Sequence, residues 1–85
     1  MALIEVRGEG GPAFHVEVDG RGFAVSAPLE LVAELGAPDA ETLVRASFDF
    51  LLDREPAGSI LPSFDLSVIA RYFPEWRGEM LRRWR

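Results

Sequence analysis

The stretch FHVEVDGRGFAV, residues 14–25, decides the fold. Phe14, Val16 and Val18 alternate with His15, Glu17 and Asp19, and a period of two sends successive side chains to opposite faces of a pleated strand. Asp19-Gly20-Arg21-Gly22 then supplies a tight-turn signal. A two-residue turn on Gly20-Arg21 would pair Val18 with Phe23 and Val16 with Val25, all four on one face. Upstream, Ile4 and Val6 share a face opposite Glu5 and Arg7, and Gly8-Glu9-Gly10-Gly11-Pro12 breaks the chain between the two runs. The expectation is a three-stranded antiparallel meander over residues 1–27 with one apolar face.

From Pro28 the apolar period becomes helical. Leu31, Val32 and Leu35 oppose Glu30 and Glu34, and Gly36 stands where a helix would end. Pro38, Asp39 and Glu41 suit the start of a second, longest helix running to about Glu55, with Leu43, Val44, Ser47, Phe48, Leu51 and Leu52 as its buried stripe. Glu41 to Arg45 is the favourable i to i+4 order on its surface. Pro56-Ala57-Gly58-Ser59 is a break, and Pro62 limits Ile60-Leu61 to a short turn. Ser63 or Asp65 can cap a third helix carrying Leu66, Val68, Ile69, Tyr72 and Phe73. Pro74 forces a corner before a last helix, about Glu75 to Trp84, on which Trp76, Met80, Leu81 and Trp84 recur at helical spacing. Strands first and helices afterwards predict the α+β class: the meander, then three to four α-helices over residues 28–85 packed on one face.

Eighty-five residues are enough for one domain, expected over residues 1–85, with one small core. The absence of cysteine excludes disulfides, thiol chemistry and zinc ribbons. No apolar run approaches a membrane span and the N-terminus lacks the pattern of a secretory signal, so a soluble, cytoplasmic protein with no membrane partner is expected. Nine arginines against fourteen carboxylates give a net charge of −5, which opposes nucleic acid over most of the surface. The imbalance is uneven: Arg71, Arg77, Arg82, Arg83 and Arg85 crowd the last fifteen residues. Lysine, asparagine and glutamine are also missing. The loss of thermolabile amides and thiols predicts adaptation to heat, while arginine in place of lysine also follows from a GC-rich genome.

Gly8, Gly10 and Ala13 fit the spacing of a dinucleotide-binding loop, but a strand follows where that loop needs a helix, so the glycines read as a turn. His15 is the lone histidine, with Glu17 and Asp19 expected on its face of the strand. One imidazole and two acids fall short of a dependable zinc set, and this is the solvated face. Asp53 and Glu55 flank Arg54 at a helix end, where such charges neutralise one another. No catalytic, metal or cofactor residue is assigned. Trp76, Met80 and Trp84 are the candidate partner or oligomer surface. Arg71, Arg77, Arg82 and Arg83, interleaved with Tyr72 and the tryptophans, are the candidate nucleic-acid contacts. The same tryptophan spacing also suits a core-facing stripe, and C-terminal arginines complement a helix dipole.

Residues 46–76, ASFDFLLDREPAGSILPSFDLSVIARYFPEW, carry a resemblance. They are similar to the C-terminal part of a family of short uncharacterised bacterial proteins in which FLLxREP, SIL, FDLSVI and RYFPE recur in this order. The resemblance implies a bacterial source and a self-contained domain, and transfers no catalytic residue.

Together these readings lead to a non-enzymatic protein-interaction or regulatory module, with a homodimer slightly favoured because a three-stranded sheet has two open edges. A nucleic-acid-associated protein using the C-terminal arginine and aromatic helix is the alternative. A small-molecule enzyme ranks third, for want of convergent polar groups.

Overall fold

The computed structural model describes residues 3–84. The meander is present: β1 (Ile4–Gly8), β2 (Ala13–Val18) and β3 (Arg21–Ser26) are antiparallel neighbours in the sheet order β1-β2-β3-β4. Phe14, Val16, Val18, Phe23 and Val25 are all buried on one face, as their alternation requires. The hairpin register differs from expectation by two residues. Val18 pairs with Arg21, Val16 with Phe23 and Phe14 with Val25, so the turn is Asp19-Gly20 and not Gly20-Arg21. Asp19 has φ 49° and Gly20 φ 88°, the two positive values that suit a right-twisted two-residue hairpin. Asp19 tolerates the left-handed region and its carboxylate also accepts from the Leu3 amide at 3.0 Å, tying β1 to the turn. A shift of two preserves which face each side chain occupies, so the apolar set is unchanged. Gly22 is thereby freed from the turn and lies under His15. A Cβ there would stand 3.1 Å from His15 Cε1, so the missing side chain lets the imidazole lie across the strand.

The sheet has a fourth strand that the sequence reading did not contain. β4 (Ser63–Asp65) runs parallel to β3, with Ala24 opposite Ser63, Val25 opposite Phe64 and Ser26 opposite Asp65. Pro62, which lacks an amide hydrogen, joins the ladder by accepting from the Ala24 amide at 2.9 Å. Side chains lock the end of the pair: the Ser26 hydroxyl donates to Asp65 Oδ1 at 2.6 Å, and Asp65 Oδ2 accepts from the Ser67 amide and hydroxyl. Burial pushes the Asp65 carboxyl up, but the hydrogen bonds from Ser26 and Ser67 outweigh it and leave the group below its ordinary value.

The helices pack on the apolar face. α1 (Leu29–Leu35) buries Leu31, Val32 and Leu35 and stops at Gly36 as anticipated. α2 (Ala40–Leu52) starts at Asp39, whose carboxylate accepts from the Thr42 amide at 2.7 Å and is held below its ordinary pKa by that bond and by the Thr42 hydroxyl. It ends short of Glu55, and its buried face is wider than expected, adding Ala46 and Phe50 while Leu52 is only half-buried. Arg45 donates to the Ile4 carbonyl at 2.8 Å, covering part of the β1 edge. A 3-10 turn at Leu66–Val68, with Asp65 as its cap, leads into the short α3 (Ile69–Tyr72). α4 (Glu75–Arg83) follows the Pro74 corner. Phe23, Phe48 and Phe64 form a chain of rings with centroids 5.4 and 6.0 Å apart, joining β3, α2 and β4 through the core.

Candidate functional site

Trp76 and Met80, expected to offer a partner surface with Trp84, are 0% and 1% exposed and lie in the core of the single chain. The Trp76 indole donates to the Ser47 hydroxyl at 3.2 Å, a buried side-chain pair linking α4 to α2. Ser47, the one polar residue of the α2 stripe, is therefore the acceptor that lets a tryptophan be enclosed. Trp84 packs half-buried against the core, and Leu81 is the large apolar side chain of this helix that faces outward. The helical spacing belongs to the core-facing reading, and this stripe leaves a partner little more than the edge of Trp84.

The four candidate nucleic-acid arginines do not form a free basic strip. Arg77 pairs with Glu34 of α1, and Arg83 with Asp49 of α2 at 3.6 Å. Arg71 and Arg82 have no ion-pair partner among the described residues, while Arg85 lies outside them. Arg54 links α2 to α4: it reaches Glu75 at 3.3 Å and Glu79 at 3.4 Å, donates to the Phe50 carbonyl, and sits 3.5 Å from the Phe50 ring centroid. Glu75 and Glu79, the acids between the arginines, are thus bound to Arg54, just beyond the end of α2.

His15 stands on the sheet face opposite the core, its Nε2 3.7 Å from Glu17 Oε2. Asp19 does not join them, because the turn carries its carboxylate to Leu3. Among the described residues no cluster of three or more histidines and acids is placed to hold a metal ion, and no helix is long and apolar enough to cross a membrane.

Two hollows lie elsewhere among the described residues: a wide, more polar one of about 550 Å³ between the Asp19-Gly20 turn and Ala57-Gly58, and a mainly apolar groove. The groove, of about 360 Å³, opens between the end of α2, β4 and α3. Leu51 and Glu55 form the α2 side, Ser59, Ile60 and Leu61 the approach to β4, and Phe64 the strand itself. Val68, Ile69, Tyr72 and Phe73 close it from the third helix. Aromatic contacts back the walls: Phe64 meets Phe48 at a tilt with centroids 6.0 Å apart, and Phe73 meets Phe50 edge-on at 5.8 Å between centroids. Leu61 at 46% and Tyr72 at 68% exposure flank the opening. Leu66 and Ile69 of the same segment are buried, while Tyr72 faces solvent. The sequence signal was present in Leu61, an apolar residue between two breaks in a segment too short to bury it, but its neighbours in space come from residues 51 to 73.

The site is therefore a mainly apolar cleft beside the terminal strand of a four-stranded sheet, in an α+β fold. Compared with known protein families, curated proteins and solved structures, the chain matches none.

Proposed function

We propose that this chain is a non-enzymatic protein-interaction module that receives a short segment of another polypeptide in the groove between α2, β4 and α3. The observation that carries the reading is the exposure of Leu61 and Tyr72 at the mouth of a preformed apolar groove. Large apolar and aromatic side chains around a fixed concavity are what anchor residues of a partner require. Ten residues line it, against roughly 20–30 a side for a stable interface between two globular surfaces. A peptide segment suits that size better than a second folded copy. The polar groups at the groove are the carboxylate of Glu55 and the hydroxyls of Ser59 and Tyr72, while the lone imidazole occupies the other face of the sheet, so no hydroxyl has a histidine base beside it.

The test is selection of a random 12-residue peptide library, displayed on phage, on the full chain. Enriched peptides should bind the wild type, lose binding to Leu61→Asp and Tyr72→Ala, and keep it with Glu5→Ala on the opposite sheet face. Absence of any enriched peptide, or binding indifferent to the groove variants, refutes the reading. Sedimentation across a concentration series tests self-association separately: a dimer that Leu61→Asp dissociates would make the occupant a second copy.

A further inference from the structure

We infer that the groove's partner segment carries a basic side chain next to its apolar anchor, received by Glu55 and the face of Tyr72. This rests on the groove being the docking site and adds the charge of its occupant. Glu55 lines the groove and is half-buried, yet among the described residues it has no ion-pair partner. The adjacent Arg54 cannot serve it, because its guanidinium is already engaged by Glu75, Glu79, the Phe50 carbonyl and the Phe50 ring. A carboxylate that shares a mainly apolar groove with Leu51, Ile60 and Phe73 must lose water when a ligand covers the opening, and such a group then needs a counter-charge. Tyr72 lines the same groove with most of its surface exposed, and an aromatic face attracts a guanidinium or ammonium by its quadrupole. The chain's net charge of −5 favours the approach of a cationic segment over long range. Carboxylate, ring and apolar floor together describe a subsite for arginine or lysine flanking an aliphatic or aromatic anchor.

The peptides selected on the full chain test this directly. Enriched sequences should share an apolar residue with Arg or Lys within two positions. A synthetic copy should bind Glu55→Gln about tenfold more weakly, as loss of one charge-assisted contact implies. Replacing the peptide's Arg by citrulline should cost a similar factor in the wild type and little further in Glu55→Gln. Peptides that need Leu61 but show no basic preference, or bind Glu55→Gln unchanged, overturn this inference and leave the groove reading standing. Peptides indifferent to Leu61→Asp, or no enrichment at all, overturn both.

Discussion

Replacing Ser47 by alanine removes one oxygen from the centre of the molecule, and its effect can be worked out from two contacts. Ser47 and Trp76 are both fully buried, and the hydroxyl is the acceptor for the indole N–H. In Ser47→Ala that donor has no partner, and a buried polar group left unpaired costs about 1–3 kcal/mol. Alanine is the better helix former and returns up to about 0.5 kcal/mol at this position in α2. The net loss is therefore about 0.5–3 kcal/mol, and for a domain of this size each kcal/mol lowers Tm by about 4–8 °C. Thermal and urea unfolding should both register it, the urea midpoint falling with the slope unchanged. Trp76→Phe removes the donor as well as volume, so Ser47→Ala should cost less in that background than in the wild type. Unchanged Tm in Ser47→Ala, or single costs that add to within about 0.3 kcal/mol in the double variant, would refute the claim that this bond places the tryptophan.

Asp65→Asn should destabilise the β3–β4 pair at neutral pH. Hydrogen bonds lower the folded-state pKa of Asp65, so its contribution is present above its unfolded pKa, about 4, and is lost as pH falls through the folded value. The gap between wild type and Asp65→Asn in urea midpoint should accordingly be open at pH 7 and shrink as the pH is lowered below about 4. The lack of thermolabile amides and thiols predicts a Tm above the roughly 45–65 °C of ordinary mesophile domains; a midpoint inside that range would assign the composition to the genome's codons instead. Single-stranded DNA should show no tight binding in a fluorescence anisotropy titration at low salt, given the pairing of Arg77 and Arg83 and the net charge. Affinity that falls steeply with salt and disappears in Arg82→Ala with Arg83→Ala would reverse that expectation.

The parts legible in the sequence are those whose signal is local. Alternation in residues 14–18 and 23–25 needs only adjacent residues, and it placed the meander and its apolar face correctly. The turn was harder because Asp19-Gly20-Arg21-Gly22 offers more than one centre, and alternation cannot separate registers two residues apart. β4 left no trace of its own: three residues show no period, and its partner β3 lies 39 residues earlier, as Val25 and Phe64 mark. The α4 stripe was ambiguous because the same helical spacing serves a core and a partner. Ser47 contained the missing clue, since a hydroxyl inside an apolar stripe needs a donor and an indole needs an acceptor. The groove was hidden because its walls converge only after β4 has docked and the turn at Leu66–Val68 has brought α3 back against the end of α2.

The most direct measurement is an amide NMR titration of the full chain with a selected peptide. Shifts should concentrate at Glu55, Leu61, Phe64, Ile69 and Tyr72, with His15 and Glu17 on the opposite sheet face unmoved. Shifts centred on that opposite face or on the exposed arginines of α4 would contradict docking in the groove.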